Sequence, residues 1–272
     1  MTVQEEQKKT PGKEALLAVS FGTTRLNTLE RSVNAAEEAL RTAFPRREFR
    51  RAFTSGRIRR TLLRRDGVKV DGVVEALEAL WLEGYEDVLV QPTHIINGEE
   101  TARLRSEVRL YSDQFKGLRV GEPLLTRQRD YELLVDAIVE DMPNLGYDGA
   151  LALMGHGTKH FANTAYPALE YVFHAKGHTN VFVGTVEGYP TIQEVIQRLD
   201  KQLNARRVYV APLMVAAGDQ ISRDMAGDGP ESWKNQLIAH NYQPVILPKG
   251  LGEYPKVREI FVLHAREALE RR

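Results

Sequence analysis

The feature that most constrains this chain is the apolar run Ala150–Met154 (ALALM), which stops abruptly at Gly155-His156-Gly157-Thr158. A run of this length bounded by glycines reads as a buried strand whose C-terminal end opens into a tight turn. Open α/β sheets place their ligands beyond that edge, which makes His156 a candidate for chemistry. A histidine at such a place can equally cap the strand and bond a carbonyl, and the run alone does not choose between the two.

The chain, however, builds a similar corner twice. Ala18-Val19-Ser20-Phe21-Gly22-Thr23 can be laid on Leu153-Met154-Gly155-His156-Gly157-Thr158, which sets Phe21 opposite His156. Further on, Asp87-Val88-Leu89-Val90-Gln91-Pro92 matches Arg207-Val208-Tyr209-Val210-Ala211-Pro212, and Gly98-Glu99-Glu100 falls opposite Gly218-Asp219-Gln220. Matched units at two separate places point to an internal repeat. The simplest architecture is α/β, with two similar Rossmann-like halves, each a parallel sheet flanked by helices, facing each other across a central cleft. A length of 272 residues accommodates two modest domains. The punctuation at Met142–Asp148 (MPNLGYD) places the division near residue 145. The expected organisation is a flexible polar tail over 1–13, an N-terminal α/β domain over 14–145 and a C-terminal α/β domain over 146–272.

Periodicity fills in the elements. Strands are expected at Ala15–Ser20, Glu48–Phe53, Asp87–Gln91, Ala150–Met154, Asn180–Val186 and Arg207–Ala211, with short ones at LRVGEPLL and near Pro244–Leu247. Helices are expected over Leu26–Phe44, stopped by Pro45, then over 56–67, Val73–Glu83, 101–116, Arg129–Glu140, Thr164–Ala175, Thr191–Leu203, Ser232–His240 and Lys256–Leu269. The segment 56–67 (GRIRRTLLRRDG) carries five arginines around Ile58, Leu62 and Leu63. It reads either as a basic wall toward a polyanion or as a solvated face whose arginine stems lie on apolar surface.

In this arrangement Ser20, Phe21, His94 and Glu100 approach the cleft from the first half, and His156, Glu187, Met214 and Gln220 from the second. Asn97-Gly98 is also a strong turn signal, and Glu99 and Glu100 can simply open the following helix, where its dipole favours them. One imidazole with one or two carboxylates suits Co²⁺, Ni²⁺, Fe²⁺ or Zn²⁺. The chain has no cysteine, which removes disulfides, thiolate nucleophiles and Cys-ligated metals. It contains no HExxH and no GxSxG, and Gly155-His156-Gly157-Thr158-Lys159 lacks the spacing of a phosphate-binding Walker loop. Lys+Arg and Asp+Glu both number 37, so the charge balance gives no reason for a nucleic-acid partner. There is no signal-peptide core near the N-terminus and no run of about 18 apolar residues, so a cytoplasmic protein without a membrane partner is expected. The exposed helices can serve a homo-oligomer, but no surface for one is identified.

Taken in order, SFGTT at 20–24, RRAFTSGRIRRTL at 50–62, QPTHIINGEE at 91–100, MGHGTKHFAN at 154–163, GTVEGYP at 184–190 and MVAAGDQISRDMAGDGPESW at 214–233 resemble the anaerobic cobalt chelatases of the CbiK type, class II tetrapyrrole chelatases. The resemblance spans nearly the whole chain. It implies insertion of Co²⁺ into sirohydrochlorin in cobalamin biosynthesis, with no organic cofactor. It makes His156 the principal catalytic histidine and a metal contact, Glu100 a catalytic, metal-associated acid, and Glu187 an acid at the same ion. A wall of Phe21, Met154 and Met214 is expected to clamp the ring, with Ser20 and His94 beside it, while the arginine stretch offers donors to the ring's carboxylates. One departure stands out: the family pattern reads Ala-Gly-Asp-His where this chain has Ala217-Gly218-Asp219-Gln220. Gln220 can offer a carbonyl oxygen to an ion but cannot accept a proton at neutral pH. The alternatives are therefore nickel or iron insertion on the same type of ring, or a non-catalytic paralogue that binds tetrapyrrole or metal.

Overall fold

The computed structural model describes residues 12–146, 148–202, 206–216 and 218–271. The first half holds strands β1 (Lys13–Ser20), β2 (Glu48–Phe53), β3 (Tyr85–Pro92) and β4 (Gly117–Val120). The second holds β5 (Gly149–Gly155), β6 (Val181–Thr185), β7 (Arg207–Leu213) and β8 (Gln243–Ile246). Each half is a four-stranded parallel sheet, in the orders β2-β1-β3-β4 and β6-β5-β7-β8. The two orders are the same topology, as the internal repeat requires. The polar segment expected over residues 1–13 lies outside the described residues except for its last two, and Lys13 already pairs as the first residue of β1.

Helices cover both faces. In the first half they are α1 (Leu26–Thr28), α2 (Ala35–Ala43), α3 (Gly56–Asp66), α4 (Val73–Leu82), α5 (Glu99–Arg109) and α6 (Gln128–Asp141). In the second they are α7 (Ala165–Ala175), α8 (Ile192–Gln202), α9 (Trp233–Ala239) and α10 (Pro255–Glu270). The long helix expected over Leu26–Phe44 forms with a π-helical stretch, Leu29–Asn34, between α1 and α2. α5 ends at Arg109, seven residues before the expected end, because residues 110–114 break into turns. Pro167 sits in the first turn of α7, where its missing N–H has no intrahelical partner to lose.

The central strands are buried on both faces. Successive side chains of a strand alternate, so Leu151 and Leu153 of β5 join one core cluster while Ala150, Ala152 and Met154 join another. The first of these clusters is shared between the halves: it contains Leu16 and Ala18 of β1, Leu89 of β3, Leu151 and Leu153 of β5, and Val257, Phe261 and Ala265 of α10. Although α10 is last in the chain, it packs against α2, α6 and β3 of the first half. Among the described residues no helix is long and apolar enough to cross a membrane.

Candidate functional site

The topology fixes where a ligand can lie. In each sheet the chain goes one way from the first strand and then returns to its other side, so the switch points fall between β1 and β3 and between β5 and β7. In open α/β sheets ligands lie beyond the C-terminal ends of the strands at such switch points. Of the residues expected at the cleft, Ser20 and Met154 stand at the ends of β1 and β5, Phe21, His94, His156, Met214 and Gln220 on the segments that follow β1, β3, β5 and β7, Glu187 on the loop after β6, and Glu100 in the first turn of α5.

The corner after β5 is held by two backbone bonds. Val186 N–H donates to the Gly155 carbonyl at 3.0 Å and Glu187 N–H to the His156 carbonyl at 2.8 Å. These bonds place Glu187 beside His156, with Glu187 Oε2 3.6 Å from His156 Nε2. Both side chains are more than half exposed, so the imidazole and the carboxylate are open to a ligand. The first half repeats the arrangement: Thr54 N–H donates to the Ser20 carbonyl and Ser55 N–H to the Phe21 carbonyl. Ser55 thus occupies the place of Glu187 and Phe21 that of His156. The repeat extends to individual bonds, while the imidazole and carboxylate stand at the second corner only.

Gly157 makes this corner. Its φ is +78°, and a Cβ there would stand 2.6 Å from the Gly188 nitrogen and 2.7 Å from Thr185 Cβ. Gly157→Ala is expected to cost about 1–3 kcal/mol and to move His156 off Glu187, read as a lowered melting temperature together with a lower turnover.

Gln220 reaches the same histidine from the loop after β7, its side-chain amide hydrogen-bonding His156 Nδ1. That loop is tied to the other half. Arg25 Nε donates to Asp219 Oδ1 at 2.7 Å and Thr24 Oγ1 to Asp219 Oδ2 at 3.2 Å. The Arg25 bond, ahead of a smaller opposing effect of burial, holds the Asp219 carboxyl below its ordinary value. The residues that gather at one point are therefore His156, Glu187 and Gln220.

Glu100 and His94 form a second polar group at the end of β3 and the start of α5. Thr101 Oγ1 donates to the Ile96 carbonyl at 3.0 Å, so toward His94 Nδ1, 3.1 Å away, it can only accept. The His94 proton then sits on Nδ1, and the buried Nε2 lone pair has no hydrogen-bond partner among the described residues. Burial pushes the His94 pKa down to about 4, with Glu100 opposing and Arg103 adding to the shift. Glu100 Oε2 is likewise buried without a hydrogen-bond partner among the described residues, with Arg103 Nη2 3.8 Å away. Among the described residues no three of His, Asp and Glu converge on one point that could hold an ion.

Four of the five expected ring contacts, Met154, Met214, Ser20 and His94, are buried. Met154 is completely buried and Met214 nearly so, both in the core cluster with Phe182, Val195 and Trp233. Strand parity puts Met154 on the face of β5 that carries Ala150 and Ala152, away from solvent. Ser20 is also buried, and its hydroxyl is paired with Thr93 Oγ1 at 2.8 Å. Phe21, by contrast, is half exposed. Two more exposed aromatic residues, absent from the expected contacts, stand on the corners of the second half, Phe161 at 80% and Tyr189 at 63%. The available signal was an aromatic residue inside a glycine-rich corner, GTKHF and EGYP. On α3, Arg59 pairs with Glu75 and Arg65 with Asp66 and the Thr24 carbonyl, whereas Arg57, Arg60 and Arg64, at i, i+3 and i+7, line an open hollow.

The family described as cobalt chelatase (CbiK) matches residues 14–270. Sirohydrochlorin cobaltochelatase of Salmonella typhimurium is 40% identical over 257 residues, which cover 94% of this chain and 97% of that protein. Sirohydrochlorin cobaltochelatase CbiKC of Nitratidesulfovibrio vulgaris is 33% identical over 260 residues, covering 94% and 91%. Among solved structures, SirB from Bacillus subtilis with Fe³⁺ superposes with a TM-score of 0.67 at 17% identity, covering 94% of this chain and 95% of that one. CbiX, described as the terminal enzyme for biosynthesis of siroheme in denitrifying bacteria, gives 0.57 at 16% identity, covering 94% and 99%. At these identities the structural likenesses establish the fold.

Proposed function

The chain belongs to the cobalt chelatase (CbiK) family, and from that premise we propose that it inserts Co²⁺ into sirohydrochlorin at the corner formed by His156 and Glu187. The activity itself is that of a sirohydrochlorin metal chelatase, and what is proposed is the metal and the division of labour among the residues. The observation that carries the reading is an open imidazole with a carboxylate 3.6 Å away, at the C-terminal edge of the central strand of one sheet.

Insertion of a divalent ion into a free-base ring displaces two pyrrole protons. An unprotonated imidazole can accept one of them, pass it to solvent and then accept the second. Glu187 holds the ion and offsets its charge as water leaves it. Glu100, on the matching edge of the first half, is the acid that approaches the metal from the other side. Phe21, Phe161 and Tyr189 supply the exposed apolar surface that a flat macrocycle needs. Arg57, Arg60 and Arg64 supply planar donors to its peripheral carboxylates.

The test is an anaerobic assay of the purified protein with sirohydrochlorin and Co²⁺, Ni²⁺ or Fe²⁺ in turn, followed by the absorption change of the ring. The expected result is catalysed insertion with Co²⁺ fastest. A faster rate with Ni²⁺ or Fe²⁺ would reassign the metal. Ring binding without insertion of any ion would make the chain a carrier.

A further inference from the structure

We propose that Gln220 is a positioning residue that selects which nitrogen of His156 is free for metal and pyrrole proton, by presenting one end or the other of its amide to Nδ1. The inference rests on the reading of His156 as proton acceptor and metal ligand, and it concerns the residue at which this chain departs from the family pattern.

A neutral imidazole carries one proton and one lone pair on its two nitrogens. Here Nδ1 faces the Gln220 amide and Nε2 faces Glu187. A primary amide has a donor end and an acceptor end, exchanged by a half-turn about its terminal torsion. In this structure the Gln220 nitrogen is toward Nδ1. Donation from that nitrogen keeps the imidazole proton on Nε2, where it points toward Glu187, and no lone pair is directed at the place where an ion would sit. With the amide turned, Oε1 accepts the Nδ1 proton and the Nε2 lone pair stands beside the carboxylate. That second arrangement is the one able to ligate a divalent ion, or to receive a proton, between His156 and Glu187. Glutamine takes up no proton at neutral pH, so it acts through the orientation of His156 rather than as a second base.

The loop that carries the amide is held from across the molecule. Asp219 is bonded by Thr24 and Arg25 of the first half, and Ile221 N–H closes a turn on the Gly218 carbonyl at 3.2 Å. The approach of the two halves therefore fixes the distance from which Gln220 addresses the ring of His156.

The experiment uses protein labelled with ¹⁵N-histidine and free of metal, with the His156 signals assigned by comparison with His156→Ala. Long-range ¹H–¹⁵N correlation reports which ring nitrogen carries the proton. Wild type is expected to show it on Nε2. Gln220→Glu, which can only accept at neutral pH, is expected to move it to Nδ1. Gln220→Leu, which offers neither end, is expected to lower kcat about 10–100-fold with the KM for the ring unchanged, and Gln220→Glu to recover part of that loss. The same tautomer in wild type and Gln220→Glu, or wild-type kcat in Gln220→Leu, would overturn the proposal. The tautomer measurement needs no turnover. If wild type inserts no metal yet the proton still moves in Gln220→Glu, the assignment of Gln220 stands and the chelatase reading falls.

Discussion

His156→Ala is expected to lower kcat for metal insertion by about 10²–10⁴-fold, while binding of the metal-free ring, followed by the anisotropy of its own fluorescence, stays near wild type. The asymmetry follows from what the side chain touches. His156 is half exposed and contacts Glu187 and Gln220, so its removal opens no cavity in the core. The exposed faces of Phe21, Phe161 and Tyr189 that would meet the ring remain. What is lost is the acceptor for the pyrrole protons and one ligand to the ion. A drop in ring affinity matching the drop in kcat would instead assign His156 to holding the macrocycle.

The largest effect on stability is expected far from this corner, at His264. This residue lies on α10 and is completely buried, as is Asp130 on α6. His264 Nδ1 donates to the Glu122 carbonyl at 3.1 Å, and its Nε2 is hydrogen-bonded with Asp130 Oδ1 at 3.0 Å. Asp130 also accepts from the Arg127 and Thr126 N–H groups at the start of α6. His264→Ala removes one partner of a buried pair and is expected to cost about 3–5 kcal/mol, measured by urea unfolding. Replacing both residues by leucine should return much of that loss, since no unpaired charge is then left inside.

The same pair gives a pH dependence of defined sign. Burial pushes the Asp130 carboxyl up, but the bonds from His264, Arg127 and Thr126 together outweigh it and hold the pKa below its ordinary value. A carboxyl with a lower pKa folded than unfolded stabilises the fold fully above the unfolded value, about 3.9, and loses that contribution as pH falls through the folded value. Below about pH 4 the wild-type protein should therefore lose stability more steeply than Asp130→Asn. Parallel acid-unfolding curves would remove Asp130 from that role.

Much of this architecture can be read directly from sequence, because it depends on local pattern. The strand, corner and helix units follow from apolar runs that end in glycine, and the repeat of Ser20-Phe21-Gly22 in Gly155-His156-Gly157 returns in the structure as matching backbone bonds. The positions of His156 and Glu187 at strand ends follow from the same pattern.

The misplacements have definite causes. A strand buried on both faces is apolar at every position, so nothing in ALALM says which parity faces a ligand, and Met154 turned out to face the core. α10 has a clear apolar stripe, but periodicity names no partner, and its packing on α2, α6 and β3 depends on contacts distant in the chain. The meeting of Gln220 with His156, 64 residues apart, depends in the same way on the adjacency of β5 and β7.

The most direct test of the account is a titration of Co²⁺ into the ring-free protein under anaerobic conditions, followed by the ligand-field absorption of the ion. The prediction is one Co²⁺ per chain with a spectrum of mixed nitrogen and oxygen ligation, lost in both His156→Ala and Glu187→Ala. Wild-type Co²⁺ binding in either variant would contradict the placement of the metal at this corner.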